Sequence, residues 1–271
     1  MIKQAIIPLA GLGTRMLPLT SVMPKELLPI NGKPNLQYIL DECIEAGIKE
    51  FIFIISKKKS SIKKYFYNDK FYINLIKKKK DKRIEKEYKK IKRYKKMIKF
   101  VYQNKPKGTG DAVLKCKKYL KGEYFLMLLP DDLIIKKNCS KEMLKLHQTK
   151  KASIIATKQV EKKTVSRWGI LSTKNKKNNF FEITNVVEKP TIKQAPSNFA
   201  IIGRYILPIK IMNEIKKIKA GKGGEIHITD AINNLINKGE KFYGNIFRGK
   251  YLDCGTMSGY INSGLLISKN K

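Results

Sequence analysis

Two glycines, a threonine and an arginine stand close together in Pro8-Leu9-Ala10-Gly11-Leu12-Gly13-Thr14-Arg15-Met16-Leu17-Pro18, and Pro24-Lys25-Glu26-Leu27-Leu28-Pro29 follows shortly after. Glycines at this spacing let the backbone turn sharply and come close to a bulky anion. Arg15 offers a rigid fork of donors matched to phosphate oxygens, and Lys25 a mobile point charge. The apolar run Ala5-Ile6-Ile7 just before them reads as a first strand. A strand, a glycine loop and two cations in this order suit a nucleoside triphosphate. Better-known glycine motifs do not fit. A dinucleotide fingerprint needs a third glycine where Met16 stands, and Gly32-Lys33 and Gly249-Lys250 lack the Ser or Thr that completes a P-loop. The plain alternative, a strand-to-helix turn with glycines for geometry alone, accounts for Gly-x-Gly but not for Thr14, Arg15 and the Pro-Lys-Glu segment.

Two further segments carry polar groups at predicted strand ends. Gln103-Asn104-Lys105-Pro106-Lys107-Gly108-Thr109-Gly110-Asp111 follows the strand Ile98–Tyr102. An amide such as Gln103 both donates and accepts, which suits the edge of a pyrimidine; taken alone, it is equally a solvated loop amide. Pro130-Asp131-Asp132 follows the strand Tyr124–Leu129. A carboxylate there can hold Mg²⁺, which takes one or two carboxylates plus substrate phosphate oxygens, although a lone Asp at a strand end is more often a turn former. In open α/β sheets ligands bind beyond the carboxyl ends of the strands, so the glycine loop, Gln103 and Asp131 belong to one rim.

These blocks resemble the sugar-nucleotidyltransferase family, and within it the uridylyl branch. The strand is followed by the family's G-x-G-T-R-x-x-P, and Pro24-Lys25 through Leu28-Pro29-Ile30-Asn31-Gly32-Lys33-Pro34 completes P-K-x-x-L-P-[IV]-x-x-K-P. The resemblance continues in Trp168-Gly169-Ile170, Val186-Val187-Glu188-Lys189-Pro190, Ile201-Ile202-Gly203-Arg204-Tyr205, Gly223-Gly224-Glu225-Ile226-His227-Ile228-Thr229-Asp230-Ala231 and Tyr251-Leu252-Asp253-Cys254-Gly255-Thr256. It implies transfer of the uridylyl group of UTP to glucose 1-phosphate, giving UDP-glucose and pyrophosphate. It also implies Arg15 and Lys25 as catalytic cations, and Mg²⁺ held by Asp131 and Asp253. Ala10, Gly11, Gly13, Thr14, Glu26, Gln103 and Gly108 would bind the nucleotide. Gly169, Glu188, Lys189, Gly203 and Glu225 would bind the sugar phosphate, while Thr229 and Asp230 cap the helix that follows. The Gly108/Gly110 pair favours the uridylyl branch; Asp111 stands where the family usually has histidine. A thymidylyl-, adenylyl- or cytidylyltransferase for another sugar phosphate is the related alternative. The resemblance further implies a homo-oligomer, dimer or tetramer.

The chain has 271 residues with 58 Lys plus Arg against 22 Asp plus Glu, a formal charge of +36. Such an excess can mark a nucleic-acid binder. Here it is nearly all lysine, spread along the chain and joined by abundant Ile and Asn, which fits compositional bias and no specific nucleic-acid partner. Four scattered cysteines without C-x-x-C spacing read as free thiols, and His147 as structural. No apolar run spans a membrane, and the first residues lack a signal-peptide layout, so a cytoplasmic enzyme with no membrane partner is expected.

Strand-like and helix-like segments alternate, which predicts an α/β fold. With the resemblance it becomes a Rossmann-like, mostly parallel mixed sheet flanked by helices, of the nucleotidyltransferase (GT-A-like) type. One domain covers 1–271, with a basic helical insertion over 57–99 and a small β-rich sugar-binding portion over about 160–228. Helices are expected over Asn35–Ala46, Gly110–Leu120, Thr229–Asn237 and Thr256–Ser268, and from Ser140, as cap, to His147.

Overall fold

The computed structural model describes residues 1–67, 70–221 and 224–269. Gly223 and Lys271 therefore lie outside the described residues. The strands in chain order are β1 (Gln4–Pro8), β2 (Pro29–Ile30), β3 (Lys33–Pro34), β4 (Glu50–Ile55), β5 (Ile98–Tyr102), β6 (Tyr124–Leu128), β7 (Asp132–Ile135), β8 (Ser153–Gln159), β9 (Gly169–Lys174), β10 (Phe180–Glu188), β11 (Phe199–Pro208), β12 (Phe242–Ile246) and β13 (Lys250–Asp253). The helices are α1 (Asn35–Glu45), α2 (Ser60–Phe66), α3 (Lys70–Lys79), α4 (Lys82–Met97), α5 (Gly108–Leu114), α6 (Cys139–Lys150), α7 (Ile211–Ile215), α8 (Ile228–Asn237) and α9 (Met257–Ser268).

Nine strands form one sheet in the order β5-β4-β1-β6-β11-β8-β12-β10-β9. The half built from the first part of the chain is parallel: β4 lies between β5 and β1, and β1 between β4 and β6. Beyond β6, β11 runs antiparallel to both β6 and β8, and β10 runs antiparallel to both β9 and β12. The sheet is thus mixed, with its parallel character concentrated where helical crossovers return the chain to the same edge.

The apolar runs explain the layering. Along β1 and β4, side chains alternate between the two faces. Ala5, Ile7, Phe51, Phe53 and Ile55 join one core with α1, α2, α4 and α6. Ile6, Ile52 and Ile54 join the other with α5, α7 and α8. A strand covered on both faces must be apolar throughout, and Phe51–Ile55 has no exposed residue.

On the central strand β11, Arg204 is fully buried and pairs with Glu42 of α1, 2.9 Å between Nη2 and Oε2. Its Nη1 donates to the carbonyls of Leu129 and Gly203, at 3.1 and 3.2 Å. Glu42 Oε1 also accepts from the backbone N–H and the hydroxyl of Ser140, at 3.1 and 2.5 Å. Ser140 is therefore not the cap of α6: the cap is Asn138, whose side chain accepts from Lys141 N at 2.9 Å, because the buried carboxylate claims the serine. Other boundaries also move. α5 starts at Gly108 and ends at Leu114, with a separate 3₁₀ turn over Lys117–Tyr119. Thr256 caps α9, accepting from Gly259 N at 3.2 Å.

The insertion forms α2, α3 and α4. It is tied to α1 through Asp41, which accepts hydrogen bonds from Tyr94 and Lys90 and also pairs with Lys33. His147 is structural, with Nδ1 2.7 Å from Ala152 O and its ring edge-on to Tyr124. All four cysteines are buried free thiols. No helix among the described residues is long and apolar enough to cross a membrane.

Replacing Glu42 with alanine strands a buried guanidinium and releases Ser140 at the start of α6. Losing one partner of a buried pair costs about 3–5 kcal/mol. Thermal unfolding of Glu42→Ala is expected to show a correspondingly large loss; a change within error would contradict the role given to this pair.

Candidate active site

Four neighbouring parallel strands end at one rim, and each is followed by a polar segment. β1 leads to Ala10–Arg15, β4 to Ser56–Lys59, β5 to Gln103–Gly108 and β6 to Pro130–Asp132. Ladder-like bonds hold the exits of β1 and β5 to β4, Leu9 N donating to Ile54 O at 2.7 Å and Gln103 N to Ile55 O at 2.9 Å, and Leu129 N ties the β6 exit to Gly203 O of β11 at 2.7 Å.

Asp131 is the centre of the rim. Its Oδ2 accepts from Lys25 Nζ at 2.6 Å and lies 3.4 Å from Arg15 Nη2. Burial alone pushes the Asp131 carboxyl up, but the Lys25 charge and hydrogen bond outweigh it and hold it below the usual carboxylate value. Burial likewise pushes the Lys25 ammonium down, and Asp131 followed by Glu26 reverses this, leaving it above the ordinary lysine value. A depressed carboxylate contributes stability above its unfolded value of 3.8 that is lost as pH falls through the folded one. A raised ammonium contributes below 10.5 and loses that as pH rises. The pair therefore supports the fold fully between those limits.

Asp253 reaches the same place by way of a two-stranded ribbon. β13 pairs antiparallel with β7, setting Asp253 opposite Asp132, and Cys254 N donates to Asp131 O at 2.7 Å. A Cβ added to Gly255 would sit 2.8 Å from Asp131 Oδ2, 2.9 Å from Arg15 Nη2 and 3.2 Å from Asp253 Oδ1. Two carboxylates and a guanidinium thus converge on a point that only glycine leaves open. Gly255 N donates to Asp253 Oδ1 at 2.8 Å, and Arg167 Nη2 lies 3.3 Å from Asp253 Oδ2. Hard oxygen donors facing a small gap are the chemistry that Mg²⁺ takes, with its remaining positions left to water and phosphate. Among the described residues no three His, Cys, Asp or Glu side chains cluster as a metal cage, so a ligand's own oxygens would complete the shell.

Two hollows share Arg15, Leu129 and Asp131. One is lined by Ala10, Gly11, Thr14, Lys25, Gln103, Gly108, Lys189 and Glu225, among others. The other is lined by Arg167, Gly169, Glu188, Gly203, Tyr251 and Asp253. Nothing lies within 4 Å of a Cβ placed on Gly11, whereas Gly13 has φ +71°, a backbone state that favours glycine. Glu26 is 1 % exposed, and Lys59 Nζ holds both of its oxygens at 2.8 and 2.9 Å. Its carboxylate therefore faces the lysine at the root of the insertion. The room at Gly108 and Gly110 is taken by the Ile226 backbone, 2.5 and 2.9 Å from the added Cβ to Ile226 O. These glycines let the Glu225 loop lie against α5.

In the second hollow, Glu188 Oε2 accepts from Thr229 Oγ1 at 3.2 Å. Thr229 thus does not cap α8, whose N-cap, His227, gives no side-chain capping hydrogen bond; Asp230 lies exposed in the first turn. Lys189 adopts φ +45°, unusual for a side-chain-bearing residue, and its N–H donates to Trp168 O at 2.9 Å. The space a Cβ would need at Gly203 is filled by Asp132.

Asp132 and Arg167 were not singled out by the motifs. Asp132 belongs to a strand, and Tyr251 OH donates to its Oδ1 at 2.7 Å. Burial, then the neighbouring Asp131 charge, pushes its carboxyl up to about 7. Arg167 sits directly before Trp168-Gly169, and that adjacency is its only trace in the sequence.

A nucleotidyl transferase family model matches residues 4–270. The chain belongs to the nucleotidyl transferase family. UTP–glucose-1-phosphate uridylyltransferases of Bacillus subtilis (strain 168) and Mycoplasma pneumoniae are each 37 % identical to it, with 97 % of this chain covered and 90 and 91 % of theirs. A UDP-glucose pyrophosphorylase solved with UDP-glucose is 35 % identical, with full coverage of both chains and a TM-score of 0.88. The UTP-bound enzyme of Acinetobacter baumannii is 31 % identical, covering 100 % of this chain and 95 % of that one, with a TM-score of 0.90.

Gly255→Ala places a methyl among Asp131, Arg15 and Asp253 without a backbone penalty. Melting temperature within a few degrees of the parent and a loss of nucleotidyl transfer of at least tenfold are expected. Full activity would show that the gap over Gly255 is not used.

Proposed function

We propose that the chain transfers the uridylyl group of UTP to glucose 1-phosphate. A phosphate oxygen of the sugar phosphate attacks the α-phosphorus, the α–β P–O bond breaks, and pyrophosphate leaves with the electron pair. The observation that carries this reading is the convergence of Lys25, Arg15, Asp131 and Asp253 where two hollows meet, one suited to each substrate. The relatives named for UTP and glucose 1-phosphate, matched over 91 and 90 % of their length, favour this pair over another nucleotide or sugar.

In this reading the nucleotide lies over Ala10, Gly11, Gly13 and Thr14, with Gln103 and Gly108 at the base. Glu26, through Lys59, steadies the segment that carries Lys25. Arg15 holds the departing β- and γ-phosphates. Lys25 sits between the α-phosphate and the incoming phosphate, neutralising charge as it passes from one to the other. Glu188, with Gly169 and Gly203 beside it, orients the sugar hydroxyls; Lys189 and Glu225 hold the sugar phosphate from the nucleotide side. Asp131 and Asp253 would hold Mg²⁺, which supplies charge neutralisation and a template joining the two substrates. Catalysis is then positioning plus preorganised electrostatics, with no covalent intermediate on the protein.

Lys25→Ala and Asp131→Ala are each expected to lower kcat by about 10²–10³ or more, the range for losing one preorganised charged contact. The assay is phosphate release from UTP, glucose 1-phosphate and Mg²⁺ with coupled pyrophosphatase. Parent-like turnover in either variant would sink its assignment, and no UDP-glucose from the unaltered protein would sink the reaction itself.

A further inference from the structure

Asp111 stands behind the nucleotide hollow, against Gln103, which lines it. It lies in the first turn of α5, and its Oδ2 accepts from Gln103 Nε2 at 2.7 Å. Its Oδ1 lies 3.6 Å from Lys115 Nζ, one turn along the helix. The second hydrogen on Gln103 Nε2 goes to Gly108 O at 3.2 Å. Both partners of Nε2 are acceptor oxygens, one of a carboxylate and one of a backbone carbonyl. The amide of Gln103 therefore has a single satisfactory orientation. Turning it over would face Oε1 against two oxygens and forfeit both bonds, one of them charge-assisted. Gln103 is itself 5 % exposed and lines the hollow with Ala10, Gly11 and Thr109. With Nε2 engaged twice by the protein, Oε1 is the group left to meet a base.

We propose that Asp111 is a specificity-determining positioning residue: it locks Gln103 so that an acceptor faces the base. The inference rests on the reading above that this hollow takes the nucleotide. An acceptor there fits the ring N–H of uracil or thymine. It opposes the ring nitrogen of cytosine and adenine, which carries a lone pair at the matching edge. The protein thus selects on proton placement in the ring rather than on the exocyclic groups alone. A site built to meet one hydrogen-bond pattern rejects the mismatched one strongly, because buried polar groups are left unpaired.

Asp111→Asn removes the stronger half of the lock: its Nδ2 can donate to a reversed Gln103 Oε1, and only the 3.2 Å bond to Gly108 O then opposes the turn that brings Nε2 to cytosine. The test compares the parent with Asp111→Asn, and with Asp111→Ala should the first fail to fold. It measures kcat/KM for UTP and CTP with glucose 1-phosphate and Mg²⁺, and Kd for each nucleotide by calorimetry. The expected result is a CTP-to-UTP ratio raised at least tenfold in the variant, chiefly through KM and Kd for CTP. A purely structural Asp111 would weaken both nucleotides together; an unchanged ratio, or a parent that takes CTP as readily as UTP, would overturn the inference. If the parent binds but does not turn over UTP, the proposed reaction fails, and the Kd ratio still decides the role of Asp111.

Discussion

The site depends on keeping Asp131 ionised in a place that does not favour a charge. Its carboxylate is largely withdrawn from water and has Asp132 beside it in the chain and Asp253 across the ribbon. Carboxylates this close raise one another's pKa unless cations intervene. Lys25 at 2.6 Å and Arg15 at 3.4 Å answer for Asp131. Asp132 is met by a tyrosine hydroxyl and the Arg204 charge, which do not outweigh burial and the Asp131 charge, and it is the member whose carboxyl is pushed up. The same cations that steady the carboxylates suit a polyphosphate, so the charge balance within the protein and that with an incoming substrate are one arrangement.

The scaffold below serves that balance. Arg204 and Glu42 form a fully enclosed pair that also grips the carbonyls of Leu129 and Gly203 and the start of α6. Leu129 precedes Asp131 by two residues, and Gly203 makes room for Asp132. Buried pairs are poor sources of net stability but demanding about geometry. Here the geometry being fixed is the floor under three acidic side chains.

Much of this was legible in the sequence, for physical reasons. Phe51–Ile55 and Tyr124–Leu129 are apolar throughout because they are covered on both faces, and Leu36, Ile39, Leu40 and Cys43 mark the buried stripe of α1. Gly11, Gly13, Arg15 and Lys25 announce an anion site by type and spacing. The short ribbon of β7 and β13 was not legible: Pro130-Asp131-Asp132 reads as a turn, and four-residue strands carry little periodicity. Yet that ribbon brings Asp253 to Asp131. Ser140 and Thr229 look like helix caps because local pattern shows only the local partner, while their hydroxyls go to Glu42 and Glu188 far along the chain. Gly108 lines the hollow, but the space a side chain would take on it and on Gly110 is filled by Ile226, a long-range packing reason that local spacing does not show.

The account stands on an ion held jointly by Asp131 and Asp253 beside a bound triphosphate. Crystals grown with UTP and Mn²⁺ in place of Mg²⁺ test this directly through the metal's anomalous signal. A peak bonded to oxygens of both carboxylates and to the UTP phosphates over Gly255 is the predicted result. Ordered UTP in the hollow with the peak elsewhere, or with Asp253 still turned to Arg167 and away from the metal, would contradict it.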